Sequence, residues 1–232
     1  MTYFPIRRLK RPKLLVKEEI FVLLQRQCVN STMKEDHLLS LFRHCPVCGS
    51  DRFVVHDEKS KRCEQCGFVY YLNPSSATVA VIVNERDELL VVRRAKEPAR
   101  GTLDLPGGFC DCGETAEEGV VREVMEETGL RVTAVQYLFS IPNVYRYSGL
   151  DVHTMDMFCA CRVGEGWEAH AADDASEVAW VPFGQIHPEA FGLTSVRMGV
   201  EKLFLNKFLL NKGKESNFCT TFAPKINNQS LQ

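Results

Sequence analysis

The stretch from residue 107 to residue 130, GGFCDCGETAEEGVVREVMEETGL, restricts what this chain can fold into more than any other. Gly107 and Gly108 permit a tight loop with close backbone approach, Thr115 and Glu118 have the spacing of a capping box, and Gly129 stands where a helix closes on a left-handed residue. Between these signals, 3.6 residues per turn puts Glu123, Glu126 and Glu127 on one helix face at i, i+3 and i+4. Ala116, Val120, Val121 and Val124 form an apolar stripe that can hold the helix against a sheet. Like charges so spaced cost about 0.2–0.5 kcal/mol per pair on an isolated helix. A hard divalent cation offsets that cost, because Mg²⁺ takes oxygen ligands and is shared between carboxylates and a substrate phosphate. A solvated acidic helix, the plainer alternative, requires neither the flanking glycines nor Arg122 beside Glu123.

Ten cysteines is a high count for 232 residues. Four form two knuckles, Cys45-Pro-Val-Cys48-Gly49 and Cys63-Glu-Gln-Cys66-Gly67, whose thiolates complete a closed tetrahedral zinc shell. The motif occurs twice at ribbon spacing, which argues against a redox role. A secreted disulfide scaffold would be smaller and poorer in core residues, so a reducing cytoplasm with one structural zinc fits better. The charges around the knuckles are balanced, Arg52 and Lys59 to Arg62 against Asp51, Asp57, Glu58 and Glu64, so a stapled module or dimer interface is favoured over a nucleic-acid surface. His44 and His56 are expected at the surface. Cys110 and Cys112 are expected to be tolerated loop residues; a second metal site joining them to Cys159 and Cys161 is the less favoured alternative.

A net charge of −2 gives no overall nucleic-acid or membrane signal. No run of 18 apolar residues exists to span a bilayer, so no membrane partner is expected. Residues 1–17 carry six basic side chains and no acidic one, and are expected to be a loosely ordered extension. Ile20 to Leu24 form an apolar cluster, and Met33 opens a short amphipathic helix; the natural protein is expected to start at Met33. The domains expected are an extension over 1–43, a zinc ribbon over 44–73, a catalytic domain over 74–211 and a disordered polar tail over 212–232.

Within the catalytic domain, residues 77–83 and 88–94 read as a hairpin. Arg93 and Arg94 end its second strand, so one of them should face the site, where its guanidinium either holds a phosphate or makes a surface ion pair. Strands are expected over 132–141, 151–163 and 177–181. A loop over 142–150 offers Tyr145 to stack a base, and a second over 169–176 carries Asp173 and Asp174 and leads to Glu177. An amphipathic helix follows over 194–210.

The same residues carry a family resemblance. The chain resembles the Nudix hydrolases: Gly108, Glu114, Arg122, Glu123, Val124, Glu126, Glu127, Gly129 and Leu130 fill every defined position of G-x5-E-x7-R-E-U-x-E-E-x-G-U. The resemblance implies an α/β fold, an α/β/α sandwich with a mixed sheet, preceded here by the small zinc ribbon. It implies hydrolysis of a nucleoside diphosphate linked to another group, with Mg²⁺ or Mn²⁺ held by Glu123, Glu126 and Glu127. Glu126 or Glu127 is a candidate to activate water, Arg122 and Glu114 would brace the loop, and Gly107, Gly108, Arg93, Arg94, Tyr145 and Glu177 would contact substrate. A ribbon ahead of such a domain is similar to the NADH pyrophosphatase group. That group carries S-Q-P-W-P-F-P-x-S after the box, where this chain has Ser140-Ile141-Pro142-Asn143-Val144-Tyr145, and Leu103-Asp104 stand where many relatives have tryptophan. NADH, NAD⁺, ADP-ribose and FAD are therefore all candidates, in a cytoplasmic homodimer; an NAD-capped RNA end is a less favoured partner. The alternative is a metabolite sensor or nucleic-acid-binding regulator with little hydrolysis.

Overall fold

The structure, a computed structural model, describes residues 37–164 and 168–205, apart from the Tyr145 side chain. The basic extension, the apolar cluster at 20–24, Met33 and the polar tail lie outside the described residues. The chain divides into two units between Leu72 and Asn73.

In the first unit, strands β1 (Phe53–Asp57), β2 (Ser60–Cys63) and β3 (Val69–Tyr71) form an antiparallel sheet. The described part of the helix expected from Met33, residues 37–42, is turn rather than helix. The two knuckles repeat one hydrogen-bond pattern. Cys45 N–H donates to Ser50 O and Gly49 N–H to Cys45 O; likewise Cys63 N–H donates to Phe68 O and Gly67 N–H to Cys63 O. Gly49 and Gly67 take φ of 72° and 78°, which a side chain would strain. The buried Cys45, Phe53 and Cys63 make a small core with Phe68 and Tyr70 beside it.

The second unit is α/β, with mixed sheets between two helices. Strand β4 (Ser75–Val81) runs parallel to β8 (Leu150–Val163), and β8 pairs antiparallel with β7 (Val132–Tyr147). Strand β5 (Glu88–Arg94) pairs antiparallel with β6 (Leu103–Asp104) and β9 (Ala175–Pro182). Alternate residues of β4 and β5 supply two cores, because successive strand side chains point to opposite faces. Val79, Val81, Leu89 and Val91 pack with Phe158 and with Val196, Val200 and Leu203 of α2 (Thr194–Leu205). Ala80, Ile82 and Leu90 pack with Val120 and Val124 of α1 (Ala116–Thr128), two residues of the expected stripe. Helix α2 lies close on β8: a Cβ at Gly199 would come within 2.3 Å of the Phe158 ring.

Two expectations about strands are corrected. Strands β4 and β5 share only the turn end of a hairpin, where Asn84 N–H donates to Glu88 O and Leu90 N–H to Ile82 O. Beyond it the loop before α1 takes the edge of β4, with Ala80 N–H donating to Pro106 O, Thr78 N–H to Gly108 O and Cys110 N–H to Ser76 O. Residues 142–150 are not a loop. β7 continues through Tyr147 and β8 begins at Leu150, with Asn143 opposite Thr154. Ser148 and Gly149, at φ of 49° and 80°, give the two-residue turn with both central residues at positive φ that suits a twisted hairpin. Pro142 is tolerated because β7 is an edge strand.

Candidate active site

Helix α1 starts and stops as its sequence requires. Thr115 accepts from Glu118 N–H at 3.1 Å while the Glu118 carboxylate accepts from Thr115 N–H at 2.9 Å, and Gly129 closes the helix at φ 69°. Capping fixes the rotation of the helix, and rotation decides where each glutamate points. Glu127 is 7% exposed and accepts from Gly107 N–H at 3.1 Å. Burial pushes its carboxyl up to about 8; the Gly107 hydrogen bond opposes this, and the negative charges of Asp104, Glu123 and Asp174 add to it. Glu123, largely enclosed, is raised as well, first by burial. Glu126 stands half exposed.

The loop glycines are fixed by contact. A Cβ on Gly107 would lie 2.1 Å from Thr78 O, and one on Gly108 would lie 2.6 Å from Glu123 Oε1. Neither space admits even a methyl group, so the backbone here can approach a ligand that any side chain would hold off.

Arg122 ties loop and helix together. Its Nε and Nη2 donate to the two oxygens of Glu114 at 2.8 and 2.9 Å, its Nη1 to Glu123 at 2.8 Å and Glu126 at 3.0 Å, and its Nη2 to Phe109 O at 3.0 Å. The bidentate pair holds the Glu114 carboxyl below its usual range and raises Arg122 in turn. A guanidinium so engaged is a bracket for the carboxylates rather than a substrate contact.

A cavity of about 550 Å³ opens beside Gly107, Gly108 and Glu127. Arg94 lines it; its Nε donates to Pro98 O at 2.7 Å and its Nη1 to the buried Asp104 at 2.6 Å. Burial raises the Asp104 carboxyl, against the pull of Arg94. Arg93 and Glu177, expected at the substrate, do not line the cavity. Arg93 Nε donates to Glu177 Oε2 at 2.7 Å on the exposed face, since neighbouring strand residues diverge. The Tyr145 side chain lies outside what is described, whereas Tyr147 lines the cavity. Asn143, Thr154, Asp156, Lys96 and Asp174 line it as well, and Lys96 pairs with Asp174. Thr154 and Asp156 were legible in principle: they share the strand phase of the buried Phe158, and a polar residue on a core-facing phase signals a lined cavity.

Two donor sets suit metal ions. The sulfurs of Cys45, Cys48, Cys63 and Cys66 all lie within 4.8 Å of one another, with Cys45 to Cys66 at 3.7 Å and Cys48 to Cys63 at 3.6 Å. Sulfurs around one tetrahedral zinc at about 2.3 Å lie about 3.8 Å apart. The backbone N–H of Cys66 draws the Cys63 thiol down to about 6, whereas, against a hydrogen bond from the Ser50 backbone, burial and the other three thiols push Cys48 up to about 12, so it is the sulfur spacing that carries the zinc assignment. Among the described residues no other group of three or more metal-ligating side chains converges so closely, so none joins Cys110 and Cys112 to the buried Cys159 and Cys161. The box glutamates do not converge so closely either, because Arg122 draws on Glu123 and Glu126. Their oxygens nevertheless fit a hydrated hard cation, which needs only one or two carboxylates and keeps its waters. Glu123, Asp104 and Asp174, gathered around Glu127, are the acidic groups that such a cation would neutralise.

Known proteins resemble this chain in sequence and fold. The NUDIX domain model matches residues 73–198. The ADP-ribose pyrophosphatase of Methanocaldococcus jannaschii is 37% identical over 52% of this chain and 69% of its own length. The NAD-capped RNA hydrolase NudC of Vibrio vulnificus is 26% identical over 82% of this chain and 67% of its own. This chain spans only 39% of a third relative, the NudC of Photobacterium profundum. A solved NUDIX hydrolase from Nitrosomonas europaea superposes with a TM-score of 0.57 at 20% identity, covering 72% of this chain and 93% of its own, a likeness of fold. With more than half its length matched by the family model, the chain belongs to the NUDIX family of hydrolases.

Proposed function

We propose that this protein hydrolyses the pyrophosphate bond of an ADP-linked or dinucleotide substrate, with Glu123, Glu126 and Glu127 holding a magnesium or manganese ion. The observation that carries the proposal is Glu127: a buried carboxylate among Glu123, Asp104 and Asp174, at the mouth of a nucleotide-sized cavity. When bound, the cation neutralises pyrophosphate charge and lowers the pKa of a coordinated water. The protein's own groups do the positioning. Gly107 N–H fixes the Glu127 carboxylate, and Arg122 bridges Glu114, Glu123 and Glu126 so that loop and helix keep one spacing. Two of the five Arg94 donors are engaged with protein, which leaves the others for phosphate oxygens. Glu126 or Glu127 is also assigned to take the proton that the attacking water loses.

The names of the two relatives bracket the substrate: ADP-ribose on one side, an NAD-capped RNA end on the other. Both contain ADP joined through its pyrophosphate. The four-cysteine unit is assigned a structural zinc, supported by its sulfur spacing. The assembly is assigned as a cytoplasmic homodimer; the eight free thiols of the described residues suit a reducing compartment, and light scattering tests the dimer. The discriminating experiment is chromatography of products from ADP-ribose, NADH, NAD⁺, FAD and NAD-capped RNA, with and without Mg²⁺. Mg²⁺-dependent release of AMP from at least one small substrate is expected. A full panel left intact would refute the proposal.

A further inference from the structure

One wall of the cavity carries polar groups that the metal-binding proposal leaves unused. There Asn143 of β7 stands opposite Thr154 of β8, with Asp156 two residues further on the same face. All three line the cavity and are buried, with Asp156 5% exposed. Thr154 Oγ1 donates to Asp156 Oδ1 at 2.5 Å, and Ser195 Oγ, in the first turn of α2, donates to Oδ2 at 2.5 Å. Among the described residues no Lys, Arg or His lies within ion-pair distance of this buried carboxyl group. Its two oxygens carry about four lone-pair positions and the two hydroxyls fill two. The Asn143 amide, facing the same space, makes no hydrogen bond within the described protein.

We propose that Asp156, held by Thr154 and Ser195, determines specificity by accepting an N–H donor from the substrate's base, with Asn143 beside it. The ligand chemistry is a neutral amino or carboxamide group on a flat heterocycle, either the 6-amino group of adenine or the carboxamide of a nicotinamide. Leu193, Val196 and Val152 give the same cavity apolar walls for the ring. Asp156, Arg94 and Glu127 line one cavity, so a nucleotide with its base at Asp156 keeps its phosphates in the same space as Arg94 and Glu127. The inference deepens the proposed hydrolase function and rests on it for that orientation alone.

The test is calorimetric binding, which needs no turnover. Wild-type protein in Mg²⁺ is titrated with AMP against purine riboside 5′-monophosphate, which lacks the amino group, and with nicotinamide mononucleotide against nicotinic acid mononucleotide. In at least one pair the amine or amide ligand should bind about tenfold more tightly, as for one buried hydrogen bond. Asp156→Asn should bring that ratio to within about twofold, and Ser195→Ala, should the first variant not fold, should reduce it severalfold. Equal binding within both pairs by wild-type protein, or a ratio that persists in Asp156→Asn, would overturn the proposal. A carboxylate serving only to hold α2 would give that equal binding and a lower melting temperature on replacement. Hydrolysis of the five-substrate panel is followed in parallel: amine-selective binding with the whole panel left intact would refute the hydrolase reading and leave this one standing.

Discussion

Glu127 concentrates the conflict between stability and activity in one side chain. Its carboxyl is raised from 4.5 to about 8, so the folded state holds the proton more tightly than the unfolded chain. The associated stability is fully present below pH 4.5, declines as the pH rises and is gone above about 8. Glu127→Gln should therefore unfold at the same temperature as wild type near pH 4. Without added Mg²⁺ it should be more stable near pH 9, by on the order of 1–2 kcal/mol. A thermal series at both pH values checks this. The same variant should lose turnover by on the order of 10²–10⁴-fold, the range contributed by a positioned acid or base. Arg122→Ala acts through other residues. It should weaken activity and Mg²⁺ dependence by about 10–100-fold, as losses around a metal site do, and the Mg²⁺ concentration for half-maximal rate should rise with it.

At the scale of elements, the loop and α1 form one device. Gly108→Ala would place a methyl group where the Glu123 carboxylate lies, so activity should fall sharply while circular dichroism of the fold stays unchanged. Thr115→Ala removes the cap and should cost about 1 kcal/mol in a denaturant titration, with a smaller effect on rate. This loop and helix were legible residue by residue, because capping, periodicity and glycine placement are local rules. The strand partners were not. Nothing local in residues 77–94 tells that the edge of β4 bonds to Pro106, Gly108 and Cys110 instead of β5. The hairpin over 142–150 was missed for a related reason: Pro142 and Ser148-Gly149 look like breakers until an edge strand and a two-residue turn accommodate them. Arg94 and Arg93 could be separated only as alternatives from sequence, since strand phase requires knowing which face is covered.

At the scale of the whole molecule, the two units rest on different sources of order. The catalytic unit has two hydrophobic cores, one on each helix side, and needs no metal to form them. Among the described residues the cysteine unit's core cluster has three buried members, two of them cysteines, with Leu39 buried besides, which is little apolar burial for a module to stand on. It should bind one zinc per chain by elemental analysis, and Cys63→Ser should lower that to none and increase proteolysis within residues 45–71. The cysteine spacing made this unit readable from sequence, whereas the floor of the cavity, assembled from β7, β8 and α2, depends on long-range packing that no single segment encodes. The central claim concerns the cation at α1. A crystal grown with Mn²⁺ and a non-hydrolysable ADP-ribose analogue, examined by anomalous scattering, addresses it directly. The account predicts manganese bound by oxygens of Glu127 and Glu123 or Glu126 and by the analogue's diphosphate; manganese absent there, with the diphosphate bound away from those oxygens, would contradict it.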